Sequence, residues 1–369
     1  MTIKRKIRFG IVGLGHIGKR HLEMIRSNRD TEVVACCDLL PLEDLGLYIP
    51  GIPFYRDYEE LLANHSEMDV LNICVPNGFH AEFALNALDK GYHVVCEKPM
   101  ALSKSEAERM LYKSLEVSRH IFVVKQNRYS PPSLWLKEVM NKKLLGEIYM
   151  VQMNCFWNRD ARYYQPNSWR GRQIEDGGTL FTQFSHFIDI MYWLFGDIIN
   201  VKGIFKDFNH SQLTDFEDSG IVSFEFVNGG IGCLNYSTAV YNKNLESSVI
   251  IIGERGTIKV AGQYMNEVVY CDIENYKMPV LKPSNPPIDY GAYKGSAQNH
   301  HYVIANVVDK LKNNGSIATN ALEGLKVVDI IEKIYQLRDL AEIKQPKPDT
   351  LQYYLNSVSA VEKNENFKS

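Results

Sequence analysis

Ile7-Arg8-Phe9-Gly10-Ile11-Val12-Gly13-Leu14-Gly15-His16-Ile17-Gly18 carries a short strand pattern straight into G-x-G-x-x-G, and a helical pattern follows. Such a run forms a dinucleotide cradle. Gly13 permits the tight strand-to-helix turn, Gly15 lets the backbone approach a pyrophosphate, and Gly18 lets helix and strand pack closely, with the diphosphate on the helix N-terminus. The motif alone is weak, since an ordinary glycine turn in an α/β protein looks the same. Its context decides: Val33-Val34-Ala35-Cys36-Cys37-Asp38 is a second strand ending in an acid 20 residues after Gly18, where a ribose 2′-hydroxyl is bonded. A carboxylate at Asp38 repels a 2′-phosphate, and Leu39, Leu40 and Pro41 supply no cation to accept one. NAD is therefore expected rather than NADP.

Outward from this run, helix and strand patterns keep alternating. Glu59 to His65 reads as helix, Asp69 to Val75 as strand, His80 to Leu88 as helix and His93 to Cys96 as strand. Ser103-Lys104-Ser105-Glu106 is a capping box opening a helix to about Ser118, and Ile121 to Val124 suits a buried parallel strand. Residues 1–125 are thus predicted to form a doubly wound, Rossmann-type domain. Beyond Pro131 and Pro132 the grammar changes to longer strands: Glu147 to Trp157, Asn200 to Phe208, Ser219 to Thr238, Ser248 to Val260 and Glu267 to Ile273. Asn228-Gly229-Gly230 and Glu254-Arg255-Gly256 mark hairpin turns. Helices are expected near 177–195, 300–313 and 321–338, and Glu274 to Asn299, with four prolines, reads as an irregular loop folding over a cleft. Residues 126–369 are predicted to form an α+β domain with a large open, mostly antiparallel sheet, the whole chain being α/β. The polar tail after about Gln345 reads as an extended arm or disordered.

The totals exclude several classes of function. A net charge of −3 gives no general drive toward nucleic acid or anionic membrane. No run of about 18 apolar residues is present, and the apolar stretch after Lys4-Arg5-Lys6 is broken by Arg8 and His16, so neither a membrane span nor a signal peptide is expected. The seven cysteines are unclustered and sit in apolar runs, as reduced core residues of a cytoplasmic protein do. No CxxC, HExxH or GxSxG occurs, and adjacent His300 and His301 lack ligand spacing, so no metal is expected.

Cys96-Glu97-Lys98-Pro99 ends a strand at the carboxyl edge of the predicted parallel sheet, where such folds bind ligands, so Lys98 is a candidate for the cofactor cleft. In the helix after Gly177, Thr182, His186 and Asp189 are spaced four and three apart and share a face beside the apolar one. His186 can accept a proton, with Asp189 or Thr182 orienting it; alone, a hydrogen-bonded core histidine would be the plainer reading. Trp157 to Arg172 packs four arginines and four aromatics into sixteen residues, suited to clamping phosphate or carboxylate and stacking a base or sugar, or else a solvated charged loop.

With these residues in view, the chain resembles the glucose–fructose oxidoreductase / inositol dehydrogenase / rhizopine catabolism (Gfo/Idh/MocA) family over nearly its whole length. The carriers are Gly13 to Gly18, Pro76-Asn77-Gly78-Phe79-His80, Glu97-Lys98-Pro99 and Gly177-Gly178 leading to His186-Phe187-Ile188-Asp189. The resemblance implies that Lys98 and His186 are the catalytic pair, with Thr182 and Asp189 beside them. It implies an NAD site formed by Gly13, Gly15, His16, Ile17, Gly18, Asp38, Pro76, Asn77, His80, Glu97 and Lys98, with Gln126, Trp169 and Arg170. Many members place an aspartate four residues before the histidine, whereas this chain has Thr182 there, then Gln183.

Within the family, Gln126-Asn127-Arg128-Tyr129-Ser130-Pro131, Tyr163-Tyr164 through Trp169-Arg170-Gly171, and Asp176-Gly177-Gly178 with Gln183-x-x-His186 look most like the UDP-N-acetyl-2-amino-2-deoxyglucuronate 3-dehydrogenases of surface-polysaccharide biosynthesis. That likeness implies substrate contacts from Lys98, Arg128, Arg162, Tyr163, Arg170, Gln183 and His186, and pairing of subunits into a homodimer or homotetramer through the open sheet. The alternatives are an inositol or other free-polyol dehydrogenase, an NAD-assisted glycosidase, and a non-enzymatic NAD-binding regulator. Retention of both Lys98 and His186 counts against the last.

Overall fold

A computed structural model describes residues 4–166 and 168–338. The expected tail lies outside the described residues. The chain divides into two compact units, the first running to Val123 and including Ile304–Ala321, the second comprising Val124–Val303 and 322–338. Ile304–Ala321 thus departs from the expectation that everything after residue 126 belongs together. Its attachment is specific: the Thr319 carbonyl accepts from the Val123 amide at 3.0 Å, and the Lys312 ammonium reaches Asp30 at 2.6 Å.

The first unit is built on strands β1 Ile7–Val12, β2 Thr31–Cys37, β3 Phe54–Tyr55, β4 Val70–Ile73, β5 His93–Cys96 and β6 Ile121–Val123. They form one sheet in the order β3-β2-β1-β4-β5-β6, and every pair is parallel. All four residues of β4 are buried, as expected where helices cover both faces of a parallel sheet. The helices are α1 His16–Ser27, α2 Tyr58–Asn64, α3 His80–Asp89 and α4 Lys104–Glu116. The predicted capping box is present: Ser103 Oγ accepts from the Glu106 amide at 3.2 Å and donates to its carboxylate at 2.9 Å.

The second unit carries β7 Ile148–Phe156, β8 Ile198–Lys206, β9 Ser219–Phe226, β10 Ile231–Ser237, β11 Glu246–Gly253, β12 Gly256–Ala261 and β13 Glu267–Ile273. Their order is β13-β12-β11-β7-β10-β9-β8, antiparallel except between β7 and β10. The run Ser219 to Thr238 is a hairpin, turned at Gly229 and Gly230 with φ of 98° and 87°, which side chains disfavour. Helices α5 Pro131–Asn141, α6 Gln173–Asp176, α7 Ser185–Phe195, α8 His300–Asn313 and α9 Ala321–Tyr335 complete the described elements. Pro131 and Pro132 open α5 rather than only punctuating the chain, because the first helical turn needs no amide donors. The Glu274 to Asn299 stretch is not wholly irregular: β14 Pro287–Asp289 and β15 Lys294–Ala297 pair within it.

One local departure matters for the site. The helix expected near 177–195 begins as a π-helical turn, Leu180–Phe184, before α7. A π turn shifts side chains off the 3.6-residue period, and such turns recur at functional sites.

Candidate active site

In the first unit, the turn after β1 is shaped by the absence of side chains. Gly13 has a φ of 82°, and a Cβ there would stand 2.6 Å from the Cys74 carbonyl oxygen. A Cβ on Gly18 would strike the Gly13 carbonyl, whereas one on Gly15 would meet nothing within 4 Å. Gly15 therefore faces open space at the start of α1, where His16 and Ile17 begin the helix and no side chain caps it. An uncapped N-terminus behind an open backbone fits a pyrophosphate. Asp38, at the end of β2, accepts from the Leu14 amide at 2.5 Å and the Leu40 amide at 2.9 Å. These bonds fix its carboxylate beside the cradle and leave lone pairs for a ribose diol. The residues present fit NAD.

The fold also brings a cation that adjacency in sequence does not show. Arg56 donates through Nε and Nη2 to the Leu39 carbonyl at 2.8 and 2.5 Å. Leu39, Leu40 and Pro41 themselves supply no cation, as expected; Arg56 comes to the Leu39 carbonyl from 17 residues away.

The ends of β4 and β5 carry the remaining cofactor-side candidates. Pro76 and Asn77 lead into a 3-10 turn at Asn77–Phe79. His80 is buried, with Nδ1 2.6 Å from the Pro99 carbonyl and Nε2 2.9 Å from that of Val75. Burial lowers its pKa while the two carbonyl contacts oppose that shift, and the ring braces the Val75 loop against the loop holding Lys98 and the cis Lys98–Pro99 peptide. Glu97 also faces inward: its oxygens accept from His21 Nε2 at 2.9 Å and from the Lys98 amide at 3.1 Å. Asn72 Nδ2 lies 2.7 Å from His21 Nδ1, closing a buried chain Asn72, His21, Glu97 beneath Lys98. Neither His21 nor Asn72 belongs to a motif of the sequence. A histidine among the apolar positions of α1 and an amide inside an apolar strand are the signals that could have found them.

In the second unit, β6 is followed by a 3-10 turn, Gln126–Tyr129, which lies against the start of α7. His186 is buried, and its Nε2 sits 3.3 Å from Gln126 Nε2. Gln126, expected at the cofactor, directs its carboxamide to the histidine. Lys125, buried and part of no sequence motif, reaches the Ser185 carbonyl at 3.3 Å. Thr182 donates to the Asp176 backbone carbonyl at 2.8 Å and closely to its carboxylate, which also accepts from the Gly171 amide at 2.8 Å. The π turn carries Thr182 to Asp176 in place of the expected shared face with His186.

Two expectations change outright. Asp189 does not orient His186 with its carboxylate, and Arg128 does not present its guanidinium to a substrate. Arg128 grips Asp189 through Nε and Nη2 at 2.7 and 2.8 Å and reaches Glu323 through Nη1 at 2.8 Å. With side chains 4% and 1% exposed, Arg128 and Asp189 form an interior brace.

The four arginines of the aromatic loop separate by burial. Arg159 is fully buried and donates to Gln183 Oε1 at 2.7 Å and to the Asn158 and Lys294 carbonyls at 2.6 and 3.1 Å. Its guanidinium lies 4.8 to 5.1 Å from the ring centres of Trp157, Tyr163 and Tyr293. Gln183 in turn donates to the Tyr163 hydroxyl at 2.8 Å, so both expected substrate contacts belong to this scaffold. Arg162 is a surface residue paired with Asp160 at 2.7 Å, which removes it from the expected clamp. Arg172 stands 4.0 Å from Glu175. Arg170 differs: its guanidinium lies over Tyr163 at 4.6 Å and Trp169 at 5.4 Å and donates to the Tyr293 hydroxyl at 3.3 Å. It makes no ion pair among the described residues, and its buried Nε has no hydrogen-bond partner there.

A six-stranded parallel sheet with an NAD cradle, joined in one chain to a mixed sheet whose unit holds a buried histidine, defines a class: two-part, NAD-binding oxidoreductases. Residues 7–124 match the family model described as an oxidoreductase family with an NAD-binding Rossmann fold, and residues 134–259 match that family's C-terminal domain. The chain belongs to the Gfo/Idh/MocA oxidoreductase family. It is an NAD-dependent oxidoreductase acting on sugar or polyol hydroxyls. Its fold superposes with a TM-score of 0.81 on the WlbA dehydrogenase of Bordetella pertussis, solved with NADH and UDP-GlcNAcA, at 30% identity over 93% of this chain and 100% of that one. The WlbA enzyme of Chromobacterium violaceum, solved with the same two molecules, gives 0.78 at 29% identity over 91% and 95%. An inositol 2-dehydrogenase of Salmonella typhimurium is 26% identical over 62% of this chain and 65% of its own length. No helix among the described residues is long and apolar enough to cross a membrane.

Proposed function

We propose that the substrate is a nucleotide-linked sugar acid, a UDP-N-acetylated amino sugar of the glucuronate type, oxidised at its C3 hydroxyl. Arg170 carries this reading: a guanidinium on an aromatic platform without a carboxylate partner among the described residues suits a phosphate or carboxylate. The likeness to two dehydrogenases solved with UDP-GlcNAcA supports the same substrate class. In the reaction, His186 takes the hydroxyl proton and Lys98 polarises the same oxygen. As the O–H bond breaks toward His186, the carbon–oxygen bond becomes a carbonyl and the C–H pair leaves as hydride. Bound NAD supplies the hydride acceptor. Thr182 and Asp176 fix the turn before His186, and Gly13, Gly15, Gly18 and Asp38 hold the cofactor.

The sheet's outer face bears Ile204, Ile221, Ile231, Met150, Ile252 and Tyr270, each 39 to 67% exposed. Cross-strand pairing of Ile204 with Ile221, and the alternation of side chains along each strand, put these residues on one side. An apolar stripe of that kind fits pairing into a homodimer or homotetramer. A cytoplasmic role in surface-polysaccharide biosynthesis accompanies this substrate class.

The test is a screen of UDP-sugars, UDP-sugar acids, myo-inositol and glucose with NAD, following NADH formation and product mass. Oxidation of a UDP-N-acetylated sugar acid with loss of two hydrogens is expected. Efficient oxidation of neutral polyols alone would replace this reading with the polyol dehydrogenase that the inositol 2-dehydrogenase relative favours.

A further inference from the structure

A neutral amide stands against the buried His186 ring. Gln126 is 4% and His186 3% exposed, and the amide nitrogen of one lies 3.3 Å from Nε2 of the other. The other end of the amide, Oε1, is buried and has no hydrogen-bond partner among the described residues. Its main chain is pinned, since the Gln126 carbonyl accepts from Asn299 Nδ2 at 3.2 Å. The amide head is thus held beside the ring while one of its two functional ends remains uncommitted.

Charged groups on the neighbouring segments of this unit have partners of their own. On the Gln126 segment, Lys125 reaches the Ser185 carbonyl, and Arg128 is bound to Asp189 of α7 and to Glu323 of α9. From α6, the Asp176 carboxylate accepts from Thr182 and the Gly171 amide. A carboxylate against the ring would hold it as imidazolium and hinder a base that must take up and release a proton in turn. A carboxamide offers a donor at one end and an acceptor at the other, about a terminal torsion that is broad and roughly two-fold.

We propose that Gln126 is a positioning residue for His186, donating to the unprotonated Nε2 before proton transfer and, with its carboxamide turned over, accepting from the protonated ring afterwards. With Nε2 as acceptor, the proton of the neutral ring lies on Nδ1, leaving Nε2 as the basic nitrogen. At 3.3 Å the amide contact is long for a hydrogen bond, so an incoming hydroxyl displaces it readily. The inference rests on His186 being the base of the proposed reaction.

The experiment is a titration of the histidines of the full chain by 15N NMR, with the His186 signal identified by its loss in His186→Asn. In the unsubstituted protein, 15N shifts are expected to show the neutral Nδ1–H tautomer, and an Nε2–H tautomer would overturn the proposal without any variant being needed. Gln126→Glu is expected to tighten proton binding by His186 about tenfold or more, because a carboxylate then faces the imidazolium. Gln126→Met, which removes both ends of the amide at similar length, is expected to weaken it on the order of fivefold. Proton affinity within about twofold of the unsubstituted protein in both variants, with melting curves intact, would also overturn it. Failure of the base role reads differently: His186→Ala would then keep its turnover while the coupling of Gln126 to His186 persisted.

Discussion

Arg128 and Asp189 close on one another through two parallel bonds of 2.7 and 2.8 Å, buried beneath the helix that carries His186. The acid three residues after the histidine therefore serves the fold, tying the 3-10 turn after β6 to α7 and, through Glu323, to α9.

Breaking that pair is expected to unfold rather than to retune. Asp189→Ala leaves the buried guanidinium its bond to Glu323 but takes away the acid that binds it through two nitrogens. A loss of about 3 to 5 kcal/mol in urea unfolding is expected, and the paired replacement Arg128→Met with Asp189→Leu should cost less than either single change. A stable Asp189→Asn protein with a displaced pH–rate profile would instead return Asp189 to the chemistry.

Cofactor choice is expected to rest on Asp38, with Arg56 behind it. The unsubstituted protein should bind NAD much more tightly than NADP, since the carboxylate bonds the 2′-hydroxyl and repels a 2′-phosphate. Asp38→Ala should narrow the gap, and Arg56→Ala in that background should widen it again, because Arg56 holds the Leu39 carbonyl one residue away. Fluorescence titration of the apo protein with both cofactors checks this. Equal affinity of the unsubstituted protein for the two would refute the role of Asp38.

Lys98→Ala and His186→Ala should each lower kcat by about two orders of magnitude or more while leaving NAD affinity nearly unchanged, as expected of proton-transfer groups. Thr182→Ala should cost less, since its hydroxyl is bound to Asp176. Steady-state kinetics with parallel NAD titration separates these outcomes, and near-normal turnover would remove either residue from the mechanism.

What the sequence made legible was local. The glycine cradle, Asp38 and the Ser103 capping box lie within a strand or a helical turn of the signals that specify them, and the structure puts them where those signals point. The pairing of Arg128 with Asp189 was not legible, because it joins residues 61 apart and either could as well have faced solvent or ligand. The π turn escaped because Phe181, Phe184 and Ile188 satisfy an ordinary amphipathic period whether or not one turn is widened. In the aromatic loop, composition gave four arginines equal standing; only packing distinguishes buried Arg159 from the surface pair of Arg162 with Asp160.

His93 gives the first unit an acid-sensitive point. It is partly buried and stacked on His120 with ring centres 5.1 Å apart, and its Nδ1 accepts from the His120 amide at 2.9 Å. Burial first, then the neighbouring His120 and Arg119, pushes its pKa from 6.5 down to about 3. A histidine depressed in this way is neutral when folded and takes up its proton only on unfolding. The unfolded state therefore binds more protons between pH about 6.5 and about 3, and stability falls as pH falls through that window, by up to about 1.4 kcal/mol per pH unit for one group. Urea titrations at several pH values are expected to show a shallower decline in His93→Gln than in the unsubstituted chain. Identical slopes would refute the assignment.

Arg170 bears the weight of the substrate proposal. It lies over Tyr163 and Trp169, donates to the Tyr293 hydroxyl, and has no ion pair among the described residues. A half-buried guanidinium on aromatic faces holds an anion by charge-assisted bonds that salt screens in part. UDP alone should therefore compete with the sugar substrate, with weaker inhibition at higher ionic strength. Arg170→Ala should raise KM for the UDP-sugar and the inhibition constant for UDP together by about tenfold or more, with NAD affinity little changed. Arg162→Ala serves as the contrast, since its partner is Asp160 on the surface, and should change either constant little. If Arg170→Ala leaves both constants where they were, the anion is recognised elsewhere. If saturating UDP leaves turnover unchanged while inositol or glucose is oxidised efficiently, the nucleotide-sugar reading gives way to a free-polyol dehydrogenase.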